Sequence, residues 1–139
     1  MGVRIKIRII CGDKHIETLA LVNSGFESDQ PDLAVSIDVA KKLGLWPPKE
    51  FKLETFSTAG GEASMYRVEN PSCHVELVDD EEILSRSRCN ILIDPYLDEV
   101  LISDYLSDEL GIIVLSFRRG LWRHYKDPSD KIRGLKRSL

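Results

Sequence analysis

Val3, Ile5, Ile7 and Ile9 alternate with Arg4, Lys6 and Arg8. A period of two puts the four aliphatic side chains on one face and the three cations on the other, the pattern of a strand half-buried in a sheet. On a helix the same residues would be spread around the axis, so the N-terminal segment commits the chain to a sheet with one wet face. Cys11-Gly12-Asp13-Lys14 supplies turn residues, and an apolar, β-branched run resumes from His15 to Val22, which predicts a hairpin. Its second arm, Leu19-Ala20-Leu21-Val22, runs straight into Asn23-Ser24-Gly25. Small polar groups at the end of a buried strand, on a turn tight enough to need glycine, are held rigidly enough for binding or chemistry.

Further on, Leu33, Val35 and Ile37 read as extended, and Ser36 can cap a short helix from Ile37 to Leu43 that Gly44 closes and Pro47-Pro48 stops. Phe51, Leu53 and Thr55 begin a strand that turns at Thr58-Ala59-Gly60-Gly61-Glu62 and returns through Ala63 to Val68; a Gly-Gly pair between two such runs signals a hairpin. Cys73 to Val78 and Cys89 to Ile93 read as two strands, separated by the acidic turn at Asp79 to Glu82 and a polar Ser-Arg segment. Val100-Leu101-Ile102 then enters Ser103-Asp104, ahead of a second short helix from Tyr105 to Leu110 ended by Gly111. Ile112 to Leu115 is a last core strand, and Arg118 to Trp122 can return as an edge strand. A strand, a polar turn and a helix ending in Leu-Gly-apolar thus occur twice, which suggests two similar halves.

At 139 residues, 42% hydrophobic and 30% charged, the chain suits one soluble domain with a real core, and no apolar run approaches the ~20 residues of a membrane span. The charged N-terminus lacks the apolar segment of a secretory signal, which points to the cytoplasm. Cys11, Cys73 and Cys89 are widely spaced with no C-x-x-C, and the expectation is reduced, partly buried thiols without a disulfide framework. His15, His74 and His124 are equally scattered, so neither a metal site nor a cofactor is expected.

In order and motif, residues 3–117 resemble the retropepsin-like aspartic proteases. An N-terminal hairpin feeds an Ala-Leu-Val-Asx-Ser-Gly turn, a Gly-rich hairpin resembles the family's flap, and a second apolar-apolar-small turn, Leu101-Ile102-Ser103, precedes a helix and a closing strand. The resemblance implies a mainly β, single-lobe closed barrel of the acid-protease fold with one or two short helices, over residues 1–125. It also implies a homodimer, in which each subunit brings one Asp to a pair that shares a proton and activates water against a peptide carbonyl. Carried onto this chain, Asn23 stands at the catalytic Asp position, Ser24 and Gly25 complete the turn, and Phe26, Glu27, Ala59, Gly60, Gly61 and Ser103 would border an extended peptide. Asn23 departs from the family at the decisive place, because an amide has no titratable proton in the useful range and cannot act as the base. Three readings follow: a catalytically silent dimer that binds extended peptide or serves only as a scaffold, a peptidase whose acid has been replaced by Asn, or an acid regained by slow deamidation at Asn23-Ser24. Ser103, where the family usually has glycine, is a second and smaller departure.

The net charge of −4 conceals an asymmetry: eight Lys/Arg face two acids from Arg118 onward, and eleven face twenty-one before it. Residues 126–139, basic and poor in apolar side chains, read as a flexible tail. Such a tail could serve a nucleic-acid-associated protein, a reading from another class; the acidic body, which would repel nucleic acid, argues against it.

Overall fold

The computed structural model describes residues 2–22, 25–58, 61–69 and 71–134. With 54% of the described residues in strands and 9% in two short helices, the fold is mainly β. Strand β1 (Val3–Cys11) pairs along its whole length with β2 (Lys14–Val22) and, on its other edge, with β6 (Cys73–Asp79), which in turn pairs with β7 (Glu82–Arg88). The alternation in β1 is realised as read: Val3, Ile5, Ile7 and Ile9 are at most 1% exposed and form the centre of the core. On the opposite face of the same strands the charges form a ladder. Arg8 bonds Glu17 on β2 at 2.7 Å and Glu76 on β6 at 3.2 Å, and Arg86 on β7 reaches Glu76 at 3.0 Å. The Ser-Arg segment read as a connection is thus part of β7. It lies at the sheet edge with one side wet, so its polar residues are compatible with a strand and its apolar signal is weak.

The other half of the sheet is built by crossing. β9 (Val100–Ile102) lies parallel to β2 and antiparallel to β3 (Asp32–Val35), so it is inserted between two strands consecutive in the chain. β3 is in turn inserted between β9 and its predecessor β8 (Asn90–Ile93), parallel to the latter. Strands clasped in this way are covered on both faces, which is why Leu33-Ala34-Val35 and Ile91-Leu92-Ile93, all 0% exposed, are continuous apolar runs without alternation. The hairpin of β4 (Phe51–Thr58) and β5 (Gly61–Val68) joins the sheet through β8, at Tyr66↔Ile93 and Arg67↔Leu92. The nine strands run β4-β5-β8-β3-β9-β2-β1-β6-β7, an open order among the described residues. The described strands form no closed barrel, and β10 (Ile112–Ser116) with β11 (Leu121–His124) makes a separate two-stranded sheet.

Both helices are as short as read and start alike. Ser36 Oγ accepts from Val39 N ahead of α1 (Ile37–Lys42), and Ser103 Oγ accepts from Leu106 N ahead of α2 (Asp104–Glu109), each at 3.2 Å. Gly44 and Gly111 follow them with φ of 74° and 77°, left-handed conformations open to glycine. The two halves suspected from sequence are built on the same local plan.

Two expectations are overturned. Cys11 and Cys73, register partners across β1 and β6, form a disulfide, and only Cys89 is free. Their 62-residue separation hid a pairing that sheet register creates. Residues 126–134, read as the start of a loose tail, are folded onto the body. Arg133 donates twice to Asp127 at 2.8 Å and once to Asp79 at 2.5 Å, its guanidinium lies 5.7 Å from the centre of the Trp122 ring, and its backbone bridges to Trp122. The rest of that segment, residues 135–139, lies outside the described residues. Among the described residues no helix is long and apolar enough to cross a membrane.

Burial pushes the Cys89 thiol up to about 12, with the Asp32 charge adding to the effect. A native, unreduced sample is therefore expected to show no thiol reactive at neutral pH, one after denaturation and three after denaturation and reduction. Cys11→Ser should lower stability by roughly 2–4 kcal/mol through the loss of the cross-link, measured by urea unfolding without reductant.

Candidate functional site

The parallel pairing of β2 and β9 ends with Val22 opposite Ile102, so the two strands that feed polar turns stop side by side. Asn23 and Ser24 lie outside the described residues. Gly25 is exposed with φ of 85°, and Phe26 O accepts from Asp104 N at 3.1 Å, which ties the segment after the first turn to the beginning of α2. The structure thus places Gly25 and Phe26 beside Ser103 and the start of α2.

Phe26 has a different role from the one expected of it. It is 2% exposed, its ring meets Phe56 edge-on at 5.5 Å, and with Ala34, Met65 and Leu92 it forms a second small core. Alternate residues of the hairpin, Phe56, Ala63 and Met65, pack onto this core, so Phe26 seats the hairpin instead of facing a ligand. Glu27 is exposed. Gly61 opens β5 opposite Thr58, which leaves a two-residue connection; its residues, Ala59 and Gly60, lie outside the described residues. Ser103 is fully buried and structural: besides capping α2, its Oγ accepts from Asp32 N at 3.2 Å, and its own N donates to Asp32 O at 3.1 Å.

The group that sequence reasoning missed is Asp32. It is fully buried at the head of β3, where both carboxylate oxygens take one arm of the Arg67 fork at 2.8 Å. Ser28 Oγ donates to Oδ2 at 2.6 Å and Asn90 Nδ2 to Oδ1 at 3.1 Å. Arg67 also holds Glu54 at 2.7 and 3.0 Å. Burial alone would push the Asp32 carboxyl up; the hydrogen bonds from Arg67, Ser28 and Asn90 and the Arg67 charge outweigh it and hold the group below its usual range. Arg67 is held above its ordinary value by Asp32 first and Glu54 second. The network joins the loop after the first turn, β3, the hairpin and β8. Its only local signal was an acid heading an otherwise wholly apolar strand.

Asp104, by contrast, is raised from its ordinary value, by burial first and then by the nearby charges of Glu27 and Asp108. Among the described residues no group of His, Cys, Asp and Glu is arranged to hold a metal ion. No protein-family model matches the chain, and no curated protein matches it either.

Removing Arg67 leaves a buried carboxylate without its counter-charge. Arg67→Met is expected to destabilise by roughly 3–5 kcal/mol, and Arg67→Lys to recover only part of this because a point charge cannot replace the fork. Because the Asp32 pKa is lower folded than unfolded, its contribution is present at neutral pH and is lost as pH falls from about 3.8 through the folded value. Urea unfolding between pH 7 and pH 3 should show this acid loss reduced in Asp32→Asn.

Proposed function

We propose that the chain is a retropepsin-like scaffold that pairs with a second copy and binds extended peptide without cleaving it. The observation that carries this reading is the crossing of β2, β9, β3 and β8, which sets the ends of two turn-bearing strands side by side, with the β4–β5 hairpin paired to β8 and packed on Phe26 just after the first turn. A pair of such turns facing each other across a twofold axis would present two Asn23 amides. They could donate and accept hydrogen bonds to a peptide, but neither could take a proton from water. The hairpin would lie over the bound chain and exclude solvent. Peptide recognition would then depend on backbone hydrogen bonds and apolar contacts, with no acid–base step to follow.

The test is Asn23→Asp beside the parent on a mixed peptide library from acidic to neutral pH. Cleavage by the variant alone supports a protease scaffold silenced by a single amide. Peptide retained by the parent, with sedimentation at twice the chain mass, supports the binding dimer. A parent that stays monomeric and retains no peptide overturns it.

A further inference from the structure

A cleft of about 670 Å³ opens between the base of the hairpin, the start of β6 and the end of β7, and it shares no residue with the two polar turns. Gln30, Lys52, Arg67, Ser72, His74 and Arg88 line it. Hydrogen-bond accounting shows which groups remain free there. Asn90 Nδ2 donates one hydrogen to Asp32 and its other to Gln30 Oε1, each at 3.1 Å. The Gln30 oxygen is thereby used, and its Nε2, a donor, has no partner among the described residues.

Arg88 makes no ion pair among the described residues, and neither the His74 ring nor the Ser72 hydroxyl is hydrogen-bonded there. His74 and Arg88 face each other as register partners across β6 and β7. Glu69 is the one acid among the lining residues; Lys52 approaches it only to 3.9 Å with a side chain 71% exposed, too wet a pair to consume the lysine charge. The cleft is therefore rich in free donors and poor in acceptors, within a body that carries an excess of acid. Its wall includes Cys73, cross-linked to β1, and Asn90, fixed by Asp32, so the donors stand on a rigid frame.

We propose that this cleft is an oxyanion site, separate from the Asn23 turn, in which Arg88, Lys52, His74 and Gln30 take a phosphate or carboxylate group. Arg88 offers a planar fork, Lys52 a point charge, and Gln30 and Ser72 neutral donors that fix orientation. The site stands whether or not the chain binds peptide.

Inorganic phosphate and, separately, a glutamate-rich peptide are titrated into the isotope-labelled protein at constant ionic strength, with chloride as the balancing ion. Saturable shifts are expected at the Gln30 side-chain amide and at His74, with affinity about tenfold weaker in Arg88→Ala, the loss of one charge-assisted contact. Arg86→Ala serves as the control, since Arg86 lies two residues away on the same strand, outside the cleft, and is already paired with Glu76. Saturation by phosphate alone or by peptide alone supports the site and identifies its source of anion. An equal loss in Arg86→Ala would reduce the effect to diffuse surface attraction and overturn the site, as would the absence of saturable shifts with both ligands.

Discussion

A carboxylate with no access to water has to be neutralised by its neighbours, and Asp32 imposes that requirement on four separate parts of the chain. Desolvating the charge is expensive enough that an unpaired Asp32 would leave β3 without a stable place in the sheet. The fork of Arg67 answers most of the demand, but Arg67 sits on β5, so meeting it fixes the base of the hairpin against β3. Glu54, across the hairpin from β5, then shares the same guanidinium and sets the approach of β4. Ser28 and Asn90 take the remaining acceptor positions, and they belong to the loop after the first turn and to β8. One buried charge thus determines how the hairpin, the loop and two central strands meet.

The crossed strands supply the complementary constraint. The two parallel pairs, β2 with β9 and β3 with β8, cannot be closed by tight turns, and they interlock: β9 lies between β2 and β3, which are consecutive in the chain, and β3 lies between β8 and β9, which are also consecutive. Neither pair can slide without displacing the other. The serine caps reinforce this, because Ser103 begins α2 and also closes the backbone of Asp32. Apolar packing from Phe26, Met65 and Leu92 completes the seat of the hairpin. The region around Gly25 is therefore positioned by elements far apart in sequence, which is the property a site needs and a plain surface turn lacks.

These long-range terms explain which parts of the structure could be read from sequence. Val3 to Ile9 announced their strand because one face meets the core and the other meets charge, a local record of a tertiary fact. Ser36, Ser103, Gly44 and Gly111 marked helix ends because capping acts within four residues. The β4–β5 hairpin was legible from its glycines. By contrast, β7 was missed because an edge strand keeps its polar residues. The Cys11–Cys73 bond was missed because only the register of β1 with β6 brings the two residues together. Asp32 carried no periodicity at all; an acid at the head of Leu33-Ala34-Val35 was the single clue that a buried partner such as Arg67 had to exist. Closure of the sheet into a barrel depends on how the outer strands β4 and β7 meet, which no local pattern encodes.

The charge asymmetry also takes a different meaning once the chain is folded. A basic C-terminal segment beside an acidic body suggested an arm reaching for a polyanion. Arg133 shows that part of this charge is directed inward, with Asp79 at the β6–β7 turn and Asp127 as its counter-ions. The Asp127 carboxyl is brought down to about 2, by its bonds to Arg133 first, so this pairing persists across the physiological range. Neutralisation within the molecule removes one of the strongest candidates for an external contact, while Arg118, Arg119, Arg123, Lys126 and Lys131 keep their charge without an ion pair among the described residues. The contrast with Arg88 follows from geometry: Arg133, near an acid at a tight turn, is drawn into a fork, whereas Arg88, opposite a histidine in the sheet, has no ion-pair partner among the described residues.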